Sequence, residues 1–151
     1  MRNRSSTDSS DLTVVSADKV MSCDGFLSQW TYQTDTSNGF KAIVWRKVIG
    51  SSAKFQIVGI NEIPDGESGR PVTFEVPTNE RIRVRPGDMI GWSFQEGGYR
   101  GLPWSSGGGF NVRWVGGNLY STLQAGNTYN INGDSGHRQY SIKASVELIE
   151  G

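Results

Sequence analysis

Apolar residues in this chain recur at every second position in short runs, and the runs are separated by turn dipeptides about every 8–12 residues. Glu80–Arg85 (ERIRVR) is the cleanest case, with Ile82 and Val84 on one face and Arg81, Arg83 and Arg85 on the other. Gln139–Ile149 alternates in the same way, with Ile142, Ala144, Val146 and Leu148 against Ser141, Lys143, Ser145 and Glu147. This strand is expected to sit well inside a sheet. Phe26–Thr34 is read with Phe26, Trp30 and Tyr32 on one face. Phe40–Ile49 follows after Asn38-Gly39, a hairpin signal. Its Phe40, Ala42 and Val44 share one side and Ile43 and Trp45 the other, so both faces are partly apolar. Ala53–Ile60 places Phe55 and Ile57 together, and Met89–Phe94 is apolar on both sides. Leu12–Ser16, Val72–Val76, Phe110–Val115, Asn118–Ser121 and Thr128–Ile131 complete the strand signals. No window keeps apolar residues at helical spacing for three turns.

The expected fold is therefore all-β: an antiparallel β-sandwich, jelly-roll-like, of about ten short strands. A small closed barrel is the competing topology. Met1–Asp11 has no apolar residue after the methionine and reads as a disordered tail or linker, leaving residues 12–151 as one domain. Sixteen aromatic residues supply enough apolar surface for one core.

Charge narrows the partners. Fifteen Lys/Arg balance fifteen Asp/Glu, which argues against a general nucleic-acid binder. No apolar run is long enough for a membrane span. Cys23 stands alone, so no disulfide forms within the chain.

Enzyme signals are poor. His137 is the only histidine, and it lies in GDSGHRQY, read as a turn. Asp134, Ser135 and His137 are too close in sequence to converge as a triad, whose members come from separated segments. No catalytic residue is assigned, and no cofactor is expected. Asp18, Asp24, Asp65 and Glu67 lie in turns and are weak candidates for a structural calcium.

Two stretches carry binding signals. Glu96–Gly117 holds eight of the twenty glycines, and its first part, to Gly109, reads as a long loop. Trp104 there is expected to be exposed, with Tyr99, Arg100, Ser105 and Ser106 around it, so that the ring stacks on a sugar while the polar rim binds hydroxyls. The second stretch is the row Arg81, Arg83, Arg85, which spans about 14 Å at the rise of a strand. Its guanidiniums suit carboxylate or sulfate groups, or else form a solvated face paired with Glu75 and Glu80. Trp30, Trp45, Trp92 and Trp114 lie within strands and are assigned to packing. Trp45 would join a concave binding surface if its sheet face were open.

The pieces VWRKV (Val44–Val48), VG (Val58–Gly59) and VRPGDMIG (Val84–Gly91) together resemble sandwich modules of extracellular adhesive or matrix-type proteins. The resemblance spans Phe26–Val115 and implies an extracellular or cell-surface module without catalysis. The leading expectation is a carbohydrate-binding or adhesive module, lectin-like, whose partner is a glycan (possibly anionic) or another protein. Such a chain is expected to be an oligomer or part of a multidomain protein. The alternative is a self-associating structural module of a matrix, capsid or spike. A third reading, a glycoside-active enzyme, would use carboxylates such as Glu62, Glu67 or Glu96.

Overall fold

The computed structural model describes residues 6–7, 13–34, 39–51, 53–66, 69–94, 103–115, 119–131 and 133–148, with side chains for all of these except 6–7, 17–20, 103–112 and 133–140. Twelve strands form among them: β1 (Ser6–Thr7), β2 (Thr13–Val20), β3 (Gly25–Tyr32), β4 (Phe40–Lys47), β5 (Lys54–Ile63), β6 (Val72–Glu75), β7 (Ile82–Val84), β8 (Met89–Phe94), β9 (Pro103–Val115), β10 (Thr128–Asn130), β11 (Gly133–Tyr140) and β12 (Ile142–Leu148). The fold is an all-β, sandwich-like arrangement of two antiparallel sheets. The larger sheet runs β1-β9-β2-β8-β4-β5-β10, with β11 on the other side of β9. The smaller sheet runs β12-β3-β6, with β7 also paired to β3.

Alternation explains how the sheets stack. Phe40, Ala42 and Val44 of β4 and Ile90, Trp92 and Phe94 of β8 point at the small sheet, where Leu27, Trp30, Tyr32, Ile82 and Val84 meet them. Phe40 stacks on Phe94 at 4.7 Å between ring centroids and meets Tyr32 edge-on at 5.1 Å. The Trp30 indole N–H donates to Asn61 Oδ1 at 2.9 Å, and the Asn61 amide in turn donates to the Glu80 carbonyl, so this buried polar pair leaves no donor stranded.

The opposite face of the large sheet is covered as well. Val15, Ile43, Trp45, Phe55, Ile57 and Met89 form a second core beneath residues 119–131, which contribute Leu123, Ile131 and Tyr129. That segment is tied along β5, where Ile57 N–H donates to the Asn127 carbonyl and Gly126 N–H to the Ile57 carbonyl. Trp45 is therefore fully buried, edge-on to Tyr129 at 6.0 Å, and the open concave face it would have needed does not exist.

Two bulges set which side chains reach the core. In β3, Gln29 pairs with Ser145 but Leu27 with Val146, so Ser28 is an extra residue. The phase inverts there: Leu27 joins Trp30 and Tyr32 inside, and Phe26, expected inside, stands 41 % exposed. In β5, Val44 pairs with Gly59 and Trp45 with Ile57, so Val58 is the extra residue. Phe55 and Ile57 thus face the second core, whereas Ile63 faces the first.

Several local expectations give way to long-range pairing. The segment through Asn38-Gly39 makes no hairpin, because β3 and β4 belong to different sheets. Gly39 is needed there for close approach: a Cβ would lie 2.0 Å from the Ile63 carbonyl oxygen. The stretch Pro103–Gly109, expected as loop, is the first half of β9, because β1 and β11 flank it on both sides. Its glycines coincide with an irregularity: His137 pairs with Asn111 and Arg138 with Ser106, so Gly107–Phe110 have no partner on β11. GDSGHRQY is strand β11 and not a turn. Of Asn118–Ser121, expected as strand, Tyr120 and Ser121 lie in a 3-10 turn at Tyr120–Thr122, and Asn118 is outside the described residues. The closing run breaks at Ser141, where the chain passes from the large sheet into the small one. Its second half, β12, stands at the end of the small sheet's order, beside β3, and not inside it. Within the amino-terminal stretch, Ser6 and Thr7 pair with Trp104 and Pro103.

Candidate functional site

The arginine row is built as its alternation requires. Ile82 and Val84 enter the core, and Arg81, Arg83 and Arg85 point away from it. The three do not behave alike. Arg81 donates to Glu147 Oε2 at 2.8 Å and to the Val76 carbonyl at 3.3 Å, so it serves to tie β12 to the β7 side of the sheet. Arg83 is more open, 3.9 Å from Asp24 and 5.7 Å above the Phe26 ring. Among the described residues no carboxylate lies within ion-pair distance of the Arg85 side chain. The partners are Glu147 and Asp24 rather than Glu75 and Glu80; Glu75 instead accepts a hydrogen bond from Gln29.

A fourth arginine lies close by. Arg46 of β4 makes a two-pronged contact with Asp88, with both N–O distances 2.8 Å. The Asp88 side chain is only 1 % exposed and also accepts the Arg85 backbone N–H at 3.0 Å. Hydrogen bonding to Asp88 pushes the Arg46 guanidinium further above its ordinary range. The turn that presents Asp88 is fixed from the other side as well. Met21 N–H donates to the Asp88 carbonyl, and Gly87 N–H donates back to the Met21 carbonyl.

The fragments VWRKV, VG and VRPGDMIG are in mutual contact. Arg46 of VWRKV holds Asp88 of the PGD turn. Gly59 faces Ile82 of β7. Gly91 leaves room for the Trp45 indole, whose nitrogen would be 2.4 Å from a Cβ placed there. These residues form a structural framework, and the same framework sets the arginines around a cleft.

That cleft has a volume of about 380 Å³ and is lined by Asp24, Arg46, Val58, Arg83, Val84 and Arg85. It opens where β7 of the small sheet lies against β5 of the large one. Val58, displaced by the bulge and partly exposed, provides its apolar surface, backed by the buried Val84. Arg46 is neutralised by Asp88, so the charge available to a ligand comes from Arg83 and Arg85, against Asp24. The volume lies within the usual range for small-ligand pockets. An apolar side chain beside guanidiniums can hold a carboxylate or sulfate while a hydrocarbon or sugar face rests on Val58.

The remaining sequence candidates fall elsewhere. Trp104 and Ser105 lie in β9, in the other sheet from the arginine row and separated from β4 by β2 and β8. Their side chains, and Tyr99 and Arg100 entirely, are outside the described residues, as is Glu67. Asp18 lies in β2, and its side chain is likewise undescribed. Asp65 accepts the Gly39 N–H at 2.7 Å and braces that crossing, whereas Asp24 stands beside Arg83. Among the described residues no group of three or more His, Cys, Asp or Glu is placed to hold a metal ion. No described helix is long and apolar enough to cross a membrane.

Arg46, Val58 and Val84 are the lining residues that sequence reasoning missed. Arg46 carried a usable signal, because it lies in one of the fragments singled out in the sequence, as Asp88 does. The bulge that turns Val58 toward the cleft carried none. In comparison with known proteins, no family model, curated protein or solved structure matches the chain.

Proposed function

We propose that this sandwich is a non-enzymatic binding module for acidic glycans, engaged through the cleft between β7 and β5. The observation that carries this reading is the pair Arg83 and Arg85, turned to solvent beside Val58 and Val84 while Arg46 is already occupied by Asp88. A carboxylate or sulfate would take the Arg85 guanidinium and compete with Asp24 for that of Arg83, and Val58 would accept the less polar face of a sugar ring. Recognition without turnover is the whole mechanism; each site binds weakly, and tandem or multiple copies raise the avidity. The setting that goes with this reading is the cell surface or the extracellular space, which the resemblance to adhesive and matrix-type modules supports.

The test is titration of the full chain with sulfated, uronate-containing and neutral oligosaccharides at two salt concentrations. Acidic ligands are expected to bind more tightly and to weaken with salt. Arg83→Ala and Arg85→Ala should each weaken them tenfold or more, since a charge-assisted contact is worth about 1.5–3 kcal/mol. Trp104→Ala is the comparison variant. Equal affinity for neutral and acidic sugars, or acidic binding untouched by both arginine variants, would overturn the proposal.

A further inference from the structure

The hairpin of β4 and β5 ends in a turn that holds an isoleucine out in solvent. Val48 N–H donates to the Lys54 carbonyl at 3.0 Å, and Ser51 N–H donates to the Val48 carbonyl at 3.2 Å. Ser51 Oγ accepts the N–H groups of Ala53 and Lys54 at 3.3 and 3.0 Å. Gly50 takes a φ of +85°, which favours glycine at the third position of a four-residue turn. Ile49, at the second position, is thereby fixed at the tip and is 101 % exposed, with Val48 half-buried behind it. The tip lies beyond Arg46, which is held by the Asp88 turn, and so projects past that turn by up to about 10 Å at the rise of a strand.

A single exposed isoleucine is ordinary on a protein surface, but the setting of this one is not. From Thr36 to Asn61 the chain has no Asp or Glu, and it carries Lys41, Arg46, Lys47 and Lys54. Lys47 pairs with Phe55, which faces the second core, so Lys47 lies on that face of the hairpin and Lys54 on the opposite one. Both lysines are exposed, and neither has an ion-pair partner among the described residues. The apolar tip is thus collared by two free ammonium groups. A hollow of about 390 Å³ at the tip is lined by Lys47, Val48, Ile49, Gly50 and Ser51, and so offers a cation and apolar side chains together.

The shape decides between occupants. A stable protein complex buries roughly 800 Å² on each side, which a convex tip of two apolar residues cannot supply. A bilayer asks for less: the apolar side chain enters the boundary below the headgroups, and the lysines stay level with anionic headgroups. We infer that this hairpin is a contact for membranes bearing anionic phospholipids, with Ile49 inserted at the interface and Lys47 and Lys54 on the headgroups. Attachment is peripheral and weak for one chain, since it rests on one inserted side chain and two charges. The inference stands on the hairpin alone and does not depend on the glycan reading, whose arginines border the cleft between β7 and β5.

Co-sedimentation of the full chain with phosphatidylcholine vesicles, with and without phosphatidylserine, tests it over a wide range of lipid concentration. The chain should bind the vesicles that contain phosphatidylserine, and salt should weaken that binding. Ile49→Ser should lower the affinity about tenfold, and Ile49→Leu should keep it. Lys47→Gln and Lys54→Gln should each lower it about fivefold. All three positions are exposed, so the variants should melt at the wild-type temperature. No binding to phosphatidylserine vesicles, or equal binding to both kinds of vesicle, would overturn the inference. So would binding that survives the Ser and Gln variants and therefore belongs to another surface, or an Ile49→Leu variant as weak as Ile49→Ser.

Discussion

The contact between Arg46 and Asp88 offers the sharpest test of how this fold is held together. The two residues are 42 positions apart and join the strand before the β4–β5 connection to the turn that enters β8. Asp88→Ala removes two charge-assisted hydrogen bonds and the one from Arg85 N–H. Breaking a buried pair costs about 3–5 kcal/mol. Arg46 is 28 % exposed and can recover water, so the loss should fall near the low end, about 3 kcal/mol. In a domain of this size that lowers Tm by roughly 6–12 °C. Arg46→Met should cost more, because it leaves a carboxylate that is only 1 % exposed without its cation. Urea unfolding followed by tryptophan fluorescence measures both variants and the double variant. Once Asp88 is absent, removing Arg46 should cost little, giving a coupling energy of about 3 kcal/mol. Additive losses, or a loss under about 1 kcal/mol for Asp88→Ala, would refute the reasoning.

Two more outcomes follow from the packing. Gly91→Ala would place a methyl carbon 2.1 Å from the Val14 carbonyl oxygen and against the Trp45 indole. The backbone cannot yield cheaply there, so a loss at or above the usual 1–3 kcal/mol of overpacking is expected; a melting temperature within 2 °C of wild type (a shift of about 1 kcal/mol or less) contradicts it. Burial raises the Tyr32 pKa above its ordinary 10.0, so the folded chain holds that proton more tightly than the unfolded one. Its contribution is complete below pH 10 and is lost as pH rises through the folded value. The stability of wild type relative to Tyr32→Phe should therefore fall as pH rises above 10, and parallel curves would count against it.

The same contrast between local and long-range forces explains what could be read in advance. Side-chain alternation is a property of the extended backbone, so Ile82 and Val84 inside, the arginines outside, and the two apolar faces of β4 were legible from the chain. The packing of Trp30 and Trp92 was legible too, and so was the all-β class, since no stretch offers helical spacing. Phe26 was misread because a bulge at Ser28 reverses the alternation, and a bulge is defined only by the partner strand. Pro103–Gly109 and Gly133–Tyr140 have the local chemistry of loops and become strands because each lies against the other.

The candidate site divides along the same line. The arginine row belongs to a single strand, and its pattern alone determined which way it faces. Its division into Arg81 bound to Glu147, Arg83 near Asp24 and Arg85 open to solvent depends on residues up to 66 positions away. The sequence by itself determined strands, faces and the charge on those faces, because these follow from nearest neighbours in the chain. Only the tertiary structure decided which sheet face is covered over Trp45, and that Arg46 is taken by Asp88 while Arg83 and Arg85 border a cleft. Each of those depends on segments brought together by burial of a shared apolar surface, which is a property of the whole chain and not of any one stretch.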